Sequence, residues 1–187
     1  MIIGLTGRVG SGKSYIASIL EHQFDLEIID LDILGHQLLE KDSIKDGLFR
    51  LFGESIFTPD FRINRAVLGK IVFSSAQQLQ KLNKLIHPAL TKEAILMIES
   101  LEETEKIGLV VGALIQELGL ESYCDDIIVV DASDEAIRKR IGAKFDISRL
   151  QKNREDYLKL GHRLENDFTP DTKESAIHMF QNLTQTL

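Results

Sequence analysis

The segment Gly7-Arg8-Val9-Gly10-Ser11-Gly12-Lys13-Ser14 constrains this chain most. It fits G-x-x-x-x-G-K-[ST] at every fixed position, and its setting fits as well. The apolar run "MIIGLT" before it reads as a buried strand, and "KSYIASILEHQF" after it places Ile16, Ile19 and Leu20 at helical spacing. Glycines permit the backbone angles that turn successive N–H groups toward an anion, and the following helix adds its N-terminal partial charge. Lys13 can reach the terminal phosphates of a nucleotide, and the Ser14 hydroxyl can coordinate Mg²⁺. A glycine-rich turn without a ligand needs neither residue. The expected nucleotide-binding residues are therefore Gly10, Ser11, Gly12, Lys13, Ser14 and Tyr15, with Ser14 on the metal.

The rest of the chain reads as strands alternating with helices. "LEIIDLD" is a short strand ending in acids, and "IGLVVGALI" and "DDIIVVDAS" are candidate central strands. Ser133 can cap "DEAIRKRI". A weak strand lies around "HRLEN", and a final helix begins near Asp171. This alternation predicts an α/β fold with a central parallel sheet flanked by helices. Residues 33 to 104 read as helical throughout, too long for one crossover, and are expected to form a helical subdomain on the substrate side. Within it, "SAQQLQKLNKLI" and "HPALTKEAILMIESLEETEK" read as two helices, with Pro88 in the first turn of the second. The whole is expected to be one kinase-like domain, with a short lid over about residues 140–162.

Composition narrows the partners. Twenty-two Lys and Arg against 29 Asp and Glu give a net charge of −7, which disfavours sequence-blind binding to nucleic acid or an anionic membrane. The 43 % of hydrophobic residues suffices for a core, and with 6 % aromatics that core must be largely aliphatic. Cys124 is the only cysteine and reads as a small core residue. No apolar run reaches transmembrane length, and "MIIGLTG" lacks the basic and hydrophobic regions of a signal peptide, so a cytosolic location is expected.

A phosphate loop says little about the second substrate. The guanine-reading N-K-x-D is absent, since "NKLI" at Asn83 lacks the aspartate. A kinase needs an acid near the acceptor and cations around the transferred group. Asp30 and Asp32 end the second strand, where ligands of open α/β sheets lie. Asp32 is assigned to chemistry, and Asp30 to capping or support. Arg138, Lys139 and Arg140 lie late in a helix, where cations also favour the helix end.

The segments "IGLTGRVGSGKS", "IIDLDILGH", "LNKLIHPAL", "ELGLESYCDDIIVVDAS" and "EAIRKRI" resemble the dephospho-CoA kinase family in order and spacing, over most of residues 1 to about 149. The resemblance implies ATP- and Mg²⁺-dependent phosphorylation of the ribose 3′-hydroxyl of dephospho-CoA, the last step of coenzyme A synthesis. It implies Asp32 as base, with Lys13 and Arg140 stabilising the transferred group. It further implies that His36, Arg65, His87 and Arg149 bind the substrate. His36 and His87 read equally well as structural, hydrogen-bonded histidines. A monomer or weak homo-oligomer is expected.

The chain departs from the family pattern in four places. Val111 stands where an acid commonly follows the central strand, and the lid before Asn166 is short, with Lys152, Arg154 and Lys159 as substitute cations. Arg8 replaces a loop glycine, and either adds charge near phosphate or points to solvent. Tyr15 replaces a threonine. Two alternatives follow: another phosphate-loop kinase of a nucleoside or nucleotide, or a nucleotide-binding regulatory protein with weakened catalysis.

Overall fold

The computed structural model describes residues 1–104, 106–141, 154–166 and 168–185. Its contacts divide the chain into two compact units, Met1–Asp30 with Ile95–Leu187, and Leu31–Ala94.

The first unit is built on a five-stranded parallel sheet of β1 (Ile2–Thr6), β2 (Leu26–Asp30), β3 (Ile107–Val111), β4 (Asp126–Asp131) and β5 (His162–Glu165), in the order β2-β3-β1-β4-β5. The first strand is central and buried at every position, as its unbroken apolar run requires. Helix α1 (Lys13–Gln23) follows it and buries Ile16, Ala17 and Leu20. These pack with Leu5, Leu109, Ile128, Leu164 and, from the last helix α8 (Pro170–Gln185), Ala176 and Phe180. Phe24, just after α1, meets Phe180 with ring centroids 4.7 Å apart. Burying an aromatic of this size stabilises the unit by roughly 2–3 kcal/mol. Across the opposite face, Tyr157 of α7 (Arg154–Leu158) packs on Ile127 and Val129 and donates its hydroxyl to the Ala113 carbonyl at 3.1 Å. Burial, and then the charge of Glu117, push the Tyr157 phenol up to about 12. Cys124 is half-buried and donates its thiol to the Leu120 carbonyl, and burial pushes its pKa up to about 12. The thiol is thus un-ionised at neutral pH and serves packing.

The second unit is helical: α2 (Leu31–Leu38), α3 (Asp42–Phe52), a 3₁₀ turn at Glu54–Ile56, α4 (Arg65–Val72) and the first part of α5 (Ala76–Glu103). Its buried residues include Ile44, Leu48, Ile56, Leu68 and Val72. Asn64 caps α4 by accepting the Val67 N–H at 3.2 Å. The split expected at Pro88 does not occur, because α5 runs unbroken for 28 residues with Pro88 inside it. Its buried positions Ile86, Leu90, Ala94 and Ile98 recur every four residues on both sides of the proline. One continuous apolar stripe outweighs the single hydrogen bond that proline removes.

Candidate active site on the phosphate loop

In a parallel sheet all carboxyl ends fall on one edge, and the loop of residues 7–12 leaves β1 at that edge. Gly7 has φ +142°, and a side chain there would run into the Val130 carbonyl. Gly12, at φ +96°, has no room either: a Cβ would strike the Asn166 amide and the Phe168 ring. Both positions therefore demand glycine for backbone angle and for space. Gly10 also has positive φ, +78°. The Ser11 side chain is fully buried in the loop, and its hydroxyl has no hydrogen-bond partner among the described residues.

Lys13, Ser14 and Tyr15 form the first turn of α1. The Lys13 ammonium donates to the Gly7 and Arg8 carbonyls at 3.0 and 3.2 Å, which keeps it at the loop. Tyr15 lies 5.5 Å from Phe168, ring centroid to centroid, and the Arg140 guanidinium covers the same Phe168 ring. Arg140, in the last turn of α6 (Asp134–Ile141), also donates to the Gly10 carbonyl at 2.6 Å. Burial lowers its pKa from the usual guanidinium value, though it remains charged at neutral pH. Asn166 is fully buried and fastens this corner. Its amide donates to the Ser11 carbonyl at 2.8 Å, and its side-chain oxygen accepts the Phe168 N–H.

Arg8 does not point to solvent. It is 6 % exposed, donating to the Ala132 carbonyl at 2.6 Å and to the Asp134 carboxylate. Its hydrogen bond, and then its charge, hold the Asp134 carboxyl below the usual aspartate range. Asp131, at the end of β4, accepts two hydrogen bonds from Arg154 and one from Arg163. Burial acts to raise its pKa, but the Arg154 and Arg163 bonds outweigh it and hold the carboxyl low. Arg154 is thus paired with Asp131, and the exposed Lys159 lies 3.4 Å from Asp156.

The other expected residues fall as follows. Asp30 closes β2 in register with Val111, which itself pairs with Leu5 of β1. Two strand spacings put Asp30 about 10 Å from the root of the loop. Val111 is buried, so the end of β3 presents an apolar side chain where the family pattern has an acid. Asp32 and His36 belong to the helical unit, four residues apart on the exposed side of α2, opposite buried Leu31, Leu34 and Leu38. Arg65 is the exposed first residue of α4, and His87 is half-buried in the middle of α5. Arg149 and Lys152 lie outside the described residues. Sequence reasoning missed Phe168, Asp131 and Asp134. The available signal was indirect: Tyr15 and Arg8 were out of pattern, and each has one of these residues or its neighbours as partner.

A family model described as dephospho-CoA kinase matches residues 1–157. A dephospho-CoA kinase of Dehalococcoides mccartyi is 34 % identical over 154 residues, covering 80 % of this chain and 76 % of that protein. One of Vibrio parahaemolyticus is 33 % identical over 153 residues, covering 81 % and 74 %. Among solved structures, a dephospho-CoA kinase from Campylobacter jejuni superposes with a TM-score of 0.75 over 99 % of this chain and 98 % of its own, at 20 % identity, and so shares the fold. With the complete loop between β1 and α1, these matches show that the chain belongs to the dephospho-CoA kinase family.

Proposed function

We propose that the chain transfers the γ-phosphoryl group of ATP to the ribose 3′-hydroxyl of dephospho-CoA, giving coenzyme A. The observation that carries the proposal is the phosphate loop, complete in sequence and held open by positive φ at Gly7, Gly10 and Gly12, in a chain of this family. Gly10, Ser11 and Gly12 would cradle the phosphates with their backbone N–H groups, and Lys13 would leave the Gly7 and Arg8 carbonyls for the terminal phosphates. Tyr15 borders the same nucleotide site. Arg140 has a guanidinium already directed to the loop and would neutralise charge on the group in transfer. Asp32 would orient the 3′-hydroxyl and accept its proton. His36, Arg65, His87 and Arg149 would hold the coenzyme moiety.

Ser14 would suit Mg²⁺, with an exposed hydroxyl in the first turn of α1. No group of three or more His, Cys, Asp or Glu among the described residues could hold a metal ion. An ion bound here would thus take most of its ligands from phosphate and water, as Mg²⁺ commonly does. It would supply charge neutralisation between the phosphates. No helix among the described residues is long and apolar enough to cross a membrane. A cytosolic enzyme, monomeric or weakly self-associating, completes the proposal.

Buried Val111 favours one second reading, nucleotide binding with weakened transfer. ADP release measured with dephospho-CoA, shikimate and adenosine as acceptors separates the two. The proposal expects turnover with dephospho-CoA alone, reduced at least about 100-fold in Lys13→Ala. ATP binding without acceptor-dependent ADP release from the folded wild-type protein would overturn it.

A further inference from the structure

Arg8 is a large charged side chain inside a loop built for close backbone approach, and it is nearly inaccessible. Its two terminal nitrogens are committed to Asp134 and to the Ala132 carbonyl. Nε is buried, with no hydrogen-bond partner among the described residues. The guanidinium is thus turned to the start of α6 rather than to solvent. Both acceptors sit at the start of α6, and that helix touches the loop at two further places. A side chain on Gly10 would meet Ile141 at 2.9 Å and Ile137 at 3.1 Å, so the helix rests directly on the loop backbone there. Arg140 closes the contact from the helix end, donating to the Gly10 carbonyl.

Arg8, Ile137, Ile141 and Arg140 all tie α6 to the loop. Its position relative to the loop is set by what pins it. Arg8 pins the first turn, Ile137 and Ile141 pin the middle and end, and Arg140 projects from the last turn. A displacement of 1 Å at a transition-state cation is enough to matter to rate.

We propose that Arg8, acting through Asp134, is a positioning residue that seats α6 on the phosphate loop and so sets where Arg140 meets the transferred phosphoryl group. This rests on the kinase reading above. Asp134 serves as the test position because its side chain is 65 % exposed, so its removal threatens folding little. In Asp134→Ala, kcat should fall about tenfold while KM for dephospho-CoA stays near the wild-type value. Arg140→Ala alone should lose about 100-fold. The double variant should lose no more than Arg140→Ala, because one change acts through the other. Arg8→Lys, which keeps a charge but not the two-pronged geometry, should lose activity like Asp134→Ala. The ratio of ATP to ADP affinity, measured by calorimetry, should fall in Asp134→Ala and Arg140→Ala alike.

Wild-type kcat and wild-type ATP-to-ADP discrimination in Asp134→Ala would overturn the positioning role, as would losses that multiply in the double variant. Those results would leave the kinase reading standing. A wild-type protein that discriminates ATP from ADP through Asp134 but never turns over dephospho-CoA would overturn the kinase reading instead.

Discussion

Asp131 is 4 % exposed, yet it faces two arginines whose side chains are nearly half in solvent. The pair geometry is good, with bonds of 2.6 to 2.9 Å and a two-pronged contact from Arg154. Replacing the carboxylate leaves two cations that water can still reach, so the cost is smaller than that of an unpaired buried charge. Asp131→Asn is expected to destabilise the protein by about 2 kcal/mol, read from denaturant unfolding. The sign with pH follows from the lowered carboxyl pKa. The contribution is fully present above the ordinary aspartate value of about 3.9 and is lost as the pH falls below it, through the folded-state pKa. The wild-type-minus-variant difference should therefore be flat from about pH 5 to 7 and shrink in stronger acid, as the pH falls through the folded-state pKa. Residue-scale pairings of this kind were the least legible part of the sequence. Arg8 and Asp134 are 126 positions apart, and Asn166 and Ser11 are 155 apart. No local pattern records such a pairing. The loop glycines were legible because part of their constraint is local: each answers to its own positive φ.

Helix α5 shows where a local rule loses to a longer one. Proline favours the first turn of a helix, and that preference suggested a break before Pro88. The stripe Ile86, Leu90, Ala94, Ile98 continues through it, and summed burial exceeds one missing backbone bond. The proline remains a local cost. Pro88→Ala is expected to raise stability by about 1–3 kcal/mol, seen as a higher denaturant midpoint at constant slope. A lower midpoint would mean that the ring makes contacts worth more than the bond it removes. Elements with a single strong signal were read correctly: "IGLVV" and "DIIVVD" as buried strands, and Ser133 as the cap whose hydroxyl accepts the Ala136 N–H.

At the scale of the molecule, alternation of strands and helices was enough to predict a parallel α/β sheet. The order β2-β3-β1-β4-β5 was not written in any one segment. On one side of the sheet α1 and α8 pack together, with Phe24, just after α1, against Phe180. Phe180→Ala is accordingly expected to cost about 3–5 kcal/mol, with the first unit's near-ultraviolet signal lost before the helical content. The chemistry at the sheet's carboxyl edge depends on that scaffold, because β1 and β4 present the loop, Asp131 and α6 together. The product reports directly which bond is made there. Phosphorus NMR of the reaction of ATP and dephospho-CoA with the wild-type protein should show a new phosphomonoester on the ribose 3′-oxygen, one for each ADP formed. Unchanged dephospho-CoA beside released ADP, or phosphate attached at any other position, would contradict it.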